Sequence, residues 1–391
     1  MYLSAKQAAA RLGVSVSTIY AYVSRKGIRS ARVPGSKIRL YWEADIEGLR
    51  GSPTAPSEVL AGQTAITLLT NDGHFYRGHD ALKLSETATL EDACKILWDG
   101  PIPDFAQSVS KQPRIYPQLM KHMTGGTITE KLAALLPVLE RSNPRAHDIS
   151  PAGFRRSGID ILAWFASLIC DRDHPVDLPF HLQIAEARNV DAQYADLIRQ
   201  ILVLCADHEL DPSTYAVRAI ANSGASPYQT VVGGLASAGG RRLPFGRMRA
   251  MSQMLTEIIT GPDPAEPILS RLREGEPVYG FGSTIYANGD PRASFLHGSM
   301  RSKIGDDPAF KRLERAIEAA AEAMLGPPDL MILVCFVGYK LAFTGQEGLL
   351  LRLARVAGWI AHAIEQYHGQ NLVRPRATYI GELPEREGRQ A

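Results

Sequence analysis

Apolar residues recur at three- and four-residue spacing along most of this chain, a period that predicts helices. In "LEDACKILWDG" Leu90, Ala93, Leu97 and Trp98 fall on one face. "DPAFKRLERAIEAAAEAML" reads as an amphipathic helix with Lys311, Arg312, Glu314 and Arg315 outward. "LLLRLARVAGWIAHAIEQYH" is apolar nearly all round, which predicts a long, largely buried helix. Period-two alternation is sparse. It occurs near residue 40 and in "TAITLLTNDGHFYRG", a short hairpin turning near Asn71-Asp72-Gly73. The expected fold class is all-α, and no fixed-period repeat or low-complexity segment interrupts it.

The first fifty residues have their own punctuation. Ser4 and Gln7 form a capping box for one short helix, and Gly13 suits the turn that ends it. Ser15 caps a second helix running towards Gly27, with Val16, Ile19 and Val23 on one face. Ser17, Thr18, Tyr22 and Arg25 project the other way. "IRSARVPGSKIRLYWEADI" predicts two strands about a turn at Pro34-Gly35. Lys37 and Arg39 alternate there with Ile38 and Leu40, so the basic pair shares one side. The proline, glycine and small polar residues of "GSPTAPSEVLAG" mark a linker. The reading is therefore a head at 1–50, a linker at 51–61 and a body at 62–391.

Charge sharpens this division. Residues 1–50 carry nine Lys/Arg against three acids, whereas the whole chain is only +2. A basic head on a mildly acidic body suggests a nucleic-acid contact confined to the N-terminus. No stretch approaches the length of uncharged apolar sequence that spans a bilayer, so no membrane partner is expected. The start lacks the basic and apolar runs of a secretory signal. Cys94, Cys170, Cys205 and Cys335 lie far apart with no C-x-x-C pair, which argues against a disulfide framework or a metal site and fits a cytoplasmic protein.

Helices, turn and basic strands together resemble the small winged helix-turn-helix of the MerR and excisionase type. On that resemblance Ser17, Thr18, Tyr22 and Arg25 enter the major groove, and Lys37 and Arg39 meet phosphate. The competing reading is a helical hairpin used for dimer or partner contact. One copy of so small a reader binds weakly, so a dimer presenting two copies makes physical sense.

Four ordered stretches of the body resemble citrate synthases. These are "GQTAITLL…YRGHDALKLSETATLEDACKILWDG", "CADHELDPSTYAVRAIANSGASPYQTVVGGLASAGG", "GFGSTIYANGDPRA" and "ARVAGWIAHAIEQ…NLVRPRATYIG". An N-terminal helix-turn-helix also precedes this body in a bacterial subgroup of the family. The resemblance implies a citrate-synthase-like helical dimer whose subunits close over oxaloacetate and acyl-CoA. It divides the body into a large domain, 62–205 with 310–391, and a small domain, about 206–309. It implies no cofactor beyond acyl-CoA as co-substrate or ligand.

The family's chemistry says which positions matter. Acetyl-CoA loses a methyl proton to a carboxylate base, its enolate oxygen needs a donor, and the oxaloacetate ketone needs polarising. The resemblance gives His208 in "ADHE", Arg292 in "DPRA", Arg355 in "ARVAGW" and Arg374 in "VRPRA" the task of gripping the dicarboxylate, Arg374 reaching across from the other subunit. A guanidinium fork suits that work. Leu243 stands where the family places its enolate-stabilising His, and Ser283 where it places the second catalytic His. Asp329 in "PPDLMILVCFVG" is the candidate base, or else only a residue at a helix start. Three expectations follow. The first is a pseudoenzyme with weak or no citrate synthase activity that binds a dicarboxylate and acyl-CoA and reports to DNA. The second is an active citrate or 2-methylcitrate synthase-like transferase with a rearranged site. The third is a non-catalytic subunit in a heterodimer with a complete relative, against the homodimer of the first two.

Overall fold

The computed structural model describes residues 2–16, 18–20, 28, 30–32, 38–43, 46, 63–70, 73–240, 244–283, 285–286 and 289–369. In the head, strand β1 (Tyr2–Ser4) leads into helix α1 (Ala5–Leu12). Ser4 and Gln7 form the capping box, and Gly13 closes the helix in the left-handed conformation (φ 66°). Strands β2 (Ser30–Arg32) and β3 (Arg39–Trp42) pair antiparallel, and β1 joins the far side of β3 to give the order β1-β3-β2. The third strand corrects the expected two-stranded wing. Its three residues are too few to show a period. A separate small core of Leu3, Ala8, Ala9, Ile19, Ile28, Tyr41 and Ile46 holds the head together. Thr18 is half-buried, and its hydroxyl lies 2.7 Å from that of Ser15 at the helix start. Ile38, just before β3, is 57% exposed, and Arg39 is exposed as well. Ser17, Tyr22, Arg25 and Lys37 lie outside the described residues.

The body opens with a small antiparallel sheet, β4 (Thr67–Leu69), β5 (His74–Tyr76) and β6 (His79–Asp80), whose third strand the sequence pattern did not announce. Thr67 pairs with Tyr76 and Leu69 with His74, as the expected hairpin requires, although Asn71 and Asp72 of its turn are not described. Helices follow: α2 (Ala81–Thr87), α3 (Leu90–Leu97), α4 (Phe105–Ser108), α5 (Tyr116–His122), α6 (Ile128–Ser142), α7 (Pro151–Ile169), α8 (Phe180–Ala187) and α9 (Ala192–Leu204). Then come α10 (Pro212–Ala221), α11 (Pro227–Ala238), α12 (Pro244–Thr260) and α13 (Glu266–Glu274). The last are α14 (Pro291–Ile304), α15 (Pro308–Glu322), α16 (Leu330–Lys340) and α17 (Leu349–His368). The mostly helical expectation holds.

Helix α17 forms the spine. It packs on α3, α7, α9, α10 and α11, and sixteen of its residues are buried, Trp359 and His362 among them. Close approach explains two of its partners' residues. A Cβ at Gly158 would lie 2.8 Å from Trp98, whose indole N–H donates to the Ala357 carbonyl at 2.8 Å. Leu90, Ala93, Leu97 and Trp98 are buried together, as their spacing predicts. Phe310, Leu313, Ala316, Ile317 and Ala320 line the inner face of α15, with Lys311 and Arg315 exposed.

Candidate active site

The site is built where the chain leaves α9 and crosses α17. Gly358 of α17 donates its N–H to the Ala206 carbonyl at 2.9 Å, and a Cβ there would stand 2.2 Å from Asp207 Oδ1. Only glycine allows the helix so close. Asp207 is fully buried and joins three distant segments. Its Oδ2 accepts from the Thr67 hydroxyl of β4, from the Glu209 N–H at 3.2 Å, and lies 3.2 Å from His362 Nε2. Burial pushes the Asp207 carboxyl up. The charge and hydrogen bond of His362, then Arg355 and Thr67, outweigh it and hold the group well below the usual carboxylate range.

Arg355 sits one turn before Gly358 and is 5% exposed. Its Nη1 lies 3.6 Å from Asp207 Oδ1 and its Nη2 3.5 Å from Asp211 Oδ2. Yet among the described residues Nε and Nη1 find no hydrogen-bond partner. Two carboxylates fix this guanidinium by charge without consuming its donors, and a ligand carboxylate would use them.

The loop after α13 supplies the opposite wall. Gly280 (φ 95°) and Gly282 (φ 71°) let the chain pair with Pro327–Asp329: the Gly280 carbonyl accepts from the Asp329 N–H, and the Gly282 N–H donates to the Pro327 carbonyl, both at 2.8 Å. A Cβ at Gly280 would meet Ile332 at 2.9 Å. Ser283 then turns the chain, its Oγ accepting from the N–H groups of Ile285 (3.1 Å) and Tyr286 (2.9 Å). The Tyr286 hydroxyl lies 3.0 Å from His208 Nε2. Burial pushes that hydroxyl up to about 12, so it stays protonated at neutral pH. Asp290 caps α14 and grips Arg292, accepting from its Nε at 3.1 Å and its Nη2 at 2.7 Å. Among the described residues, Arg292 Nη1 has no hydrogen-bond partner.

Two imidazoles complete the cluster. His208 is held neutral by burial, then by Arg292, His74 and Arg355. His74 of β5 lies 5.6 Å from it, ring to ring. His74 is wholly buried, and neither ring nitrogen makes a hydrogen bond of ordinary geometry. Burial, then Arg292, pushes its basicity down, while Asp207 opposes that through its charge and its backbone. Asp329 caps α16, accepting from the Ile332 N–H at 3.0 Å. Its carboxyl is pushed up to about 6, first by burial and then, against the Ile332 and Met331 amides, by Asp290. Asp329 thus starts a helix, and its basicity suits proton transfer near neutral pH.

The structure therefore gathers His208, Arg292, Arg355, Ser283 and Asp329 around one region. Leu243 and Arg374 lie outside the described residues. Sequence reasoning missed Thr67, His74, Asp207, Tyr286 and His362. Among the described residues, no group of three His, Cys, Asp or Glu could hold a metal ion, and no helix is long and apolar enough to cross a membrane.

Comparison with known proteins decides the family. The profile of the citrate synthase C-terminal domain matches residues 55–376. The chain belongs to the citrate synthase family. A helix-turn-helix domain profile matches residues 2–47. Among curated citrate synthase family proteins, the chain is similar to 2-methylcitrate synthase of Shewanella oneidensis, 27% identical over 382 residues that cover 86% of this chain and 95% of that one. It is also similar to citrate synthase 2 of Bacillus subtilis, 25% identical over 83% of this chain and 94% of that one. Among solved structures, the Thermotoga maritima citrate synthase matches with a TM-score of 0.67, 22% identity, 83% of this chain and 95% of that chain. The Thermoplasma acidophilum citrate synthase, in ternary complex with carboxymethyl coenzyme A and oxaloacetate, matches with a TM-score of 0.69, 19% identity, 84% of this chain and 96% of that chain. These last two likenesses establish a citrate synthase fold.

Proposed function

We propose that this chain binds a four-carbon dicarboxylate such as oxaloacetate between Arg292 and Arg355, beside His208, with weak or no citrate synthase turnover. The observation that carries the reading is Arg355: a buried guanidinium held by two carboxylates with Nε and Nη1 left uncommitted. Arg292 offers Nη1 from the first turn of α14, and neutral His208 offers an imidazole to the ketone. Arg374 of a second subunit closes the cradle, so the working form is a homodimer or a heterodimer with a related subunit. Acyl-CoA is the second ligand, and the N-terminal head carries the liganded state to DNA.

Weak turnover follows from the same positions. Losing one donor to a developing oxyanion costs ~10²–10³ in rate, and the leucine at 243 donates nothing. Ser283 keeps a hydroxyl proton for a ligand oxygen, but its lone pairs already serve two backbone N–H groups. Calorimetry with oxaloacetate tests the cradle. Binding should weaken at least ~10-fold in Arg355→Lys, which keeps the charge and loses the fork. Equal affinity in that variant, or no heat from the native chain, would refute the reading.

A second reading, an active synthase with a rearranged site, is favoured by Asp329. Its carboxyl lies buried beside Asp290 and Arg292 and is pushed up to about 6, a basicity that suits a base taking a methyl proton. Thiol release from acetyl- or propionyl-CoA in the presence of oxaloacetate separates the two.

A further inference from the structure

One turn before Arg355, at the start of α17, lies a second set of uncommitted groups. A cavity of about 170 Å³ is bounded there by Arg249 and Ser252 of α12, by the turn through Gly345, Glu347 and Gly348, and by Arg352. Among the described residues neither the Arg249 nor the Arg352 side chain makes a hydrogen bond or ion pair, and burial pushes the Arg352 guanidinium down. Helix α17 opens at Gly348, in the cavity wall, without a side-chain cap. The N–H groups of Leu350 and Leu351 find no acceptor among the described residues, while those of Leu349 and Arg352 are bonded. Two guanidiniums and the positive end of a 20-residue helix thus share one small space.

Glu347 adds the selective feature. It is 6% exposed; its Oε1 accepts from the Gly345 N–H at 2.9 Å, and its Oε2 is buried with no donor. The turn cannot retreat, because a Cβ at Gly338 would already stand 2.1 Å from the Glu347 carbonyl oxygen. An ionised anion with no proton would meet this oxygen as a repulsion. An anion that carries an O–H would donate to it and satisfy the arginines as well. Hydrogen phosphate keeps such a proton at mildly alkaline pH. Sulfate, of the same size and shape, does not, and neither does the dianion of a phosphomonoester.

We propose that this cavity, separate from the dicarboxylate cradle, is a binding site for inorganic hydrogen phosphate. Arg249 and Arg352 hold its charge, and Glu347 Oε2 accepts its proton. The alternative is internal: Arg352 swings onto Glu347 and the cavity closes on an ion pair.

The test is calorimetric titration of the full chain with inorganic phosphate, sulfate and glycerol 3-phosphate at mildly alkaline pH and low salt. Phosphate should bind at least ~10-fold tighter than either competitor. Arg249→Ala, an exposed residue outside the core, should weaken phosphate at least ~5-fold with an unchanged melting temperature in the absence of ligand. Glu347→Gln, which gains a donor, should bind sulfate and phosphate equally. No phosphate binding at concentrations on the order of 10 mM, equal affinity for sulfate or the monoester, an unaltered Arg249→Ala, or a preference that survives Glu347→Gln would each overturn the proposal.

Discussion

Replacing Gly358 by alanine strikes the contact on which the whole site is assembled. The added methyl would stand 2.2 Å from Asp207 Oδ1 and 2.6 Å from the Ala206 carbonyl oxygen, and ordinary van der Waals contact begins near 3.4 Å. Helix α17 and the 206–208 segment must therefore separate by about 1 Å, and the nearer obstacles are backbone and a carboxylate already held by Thr67, Glu209 and His362. Overpacking of this kind costs ~1–3 kcal/mol. At ~2–4 °C per kcal/mol, the melting temperature should fall by several degrees. The same shift moves Arg355, on α17, away from His208, on the segment it leaves. A displacement of ~1 Å in a positioning contact costs up to ~10²-fold, so oxaloacetate affinity should drop by at least ~10-fold. The control is Gly298→Ala on α14, where an added Cβ meets nothing within 4 Å. It should be neutral or stabilise by ~0.5–1 kcal/mol. Thermal unfolding followed by circular dichroism, with calorimetric titration of oxaloacetate, reads both effects. If Gly358→Ala melts and binds like the native chain, the crossing of α17 over Asp207 does not organise the site.

Further predictions address single groups. Asp329 has a folded-state pKa of about 6, above its ordinary value near 3.9. The folded chain therefore holds the extra proton, and stability from this group is present below pH ~4 and lost as pH rises through about 6. Asp329→Asn should stabilise the protein by ~1–2 kcal/mol above that window and by nothing below it, as read from urea unfolding across pH. It should also abolish any turnover, which in the native chain should fall as pH drops below about 6. Thr67→Val removes a buried donor from Asp207 and should cost ~1–3 kcal/mol in urea unfolding, with little effect if that hydrogen bond is dispensable. Leu243→His combined with Ser283→His should raise trace thiol release. An inert double variant that still binds oxaloacetate would remove Asp329 from the role of base.

What the sequence made legible was local. The capping box at Ser4, the cap at Ser15, the pairing of 67–69 with 74–76, and the apolar faces of α3, α15 and α17 are written in residues a few positions apart. The residues of the proposed cradle, His208, Arg292 and Arg355, were legible through the words around them. The hub that holds them was not. Asp207 meets Thr67 across 140 residues and His362 across 155, and no period or spacing encodes such a contact. His74 reads in sequence as an ordinary strand residue, and its place beside His208 exists only once β5 packs there. Ion pairing also redistributes roles. Arg292 spends two of its donors on Asp290, so Arg355 becomes the less committed guanidinium of the two.

Thiol release from acetyl-CoA and propionyl-CoA at saturating oxaloacetate is the most direct trial of the central claim, that the diacid cradle persists without its two catalytic imidazoles. The expected rate is at least ~10²-fold below that of a histidine-complete relative measured alongside. A rate equal to the relative's, with the native leucine and serine in place, would contradict it.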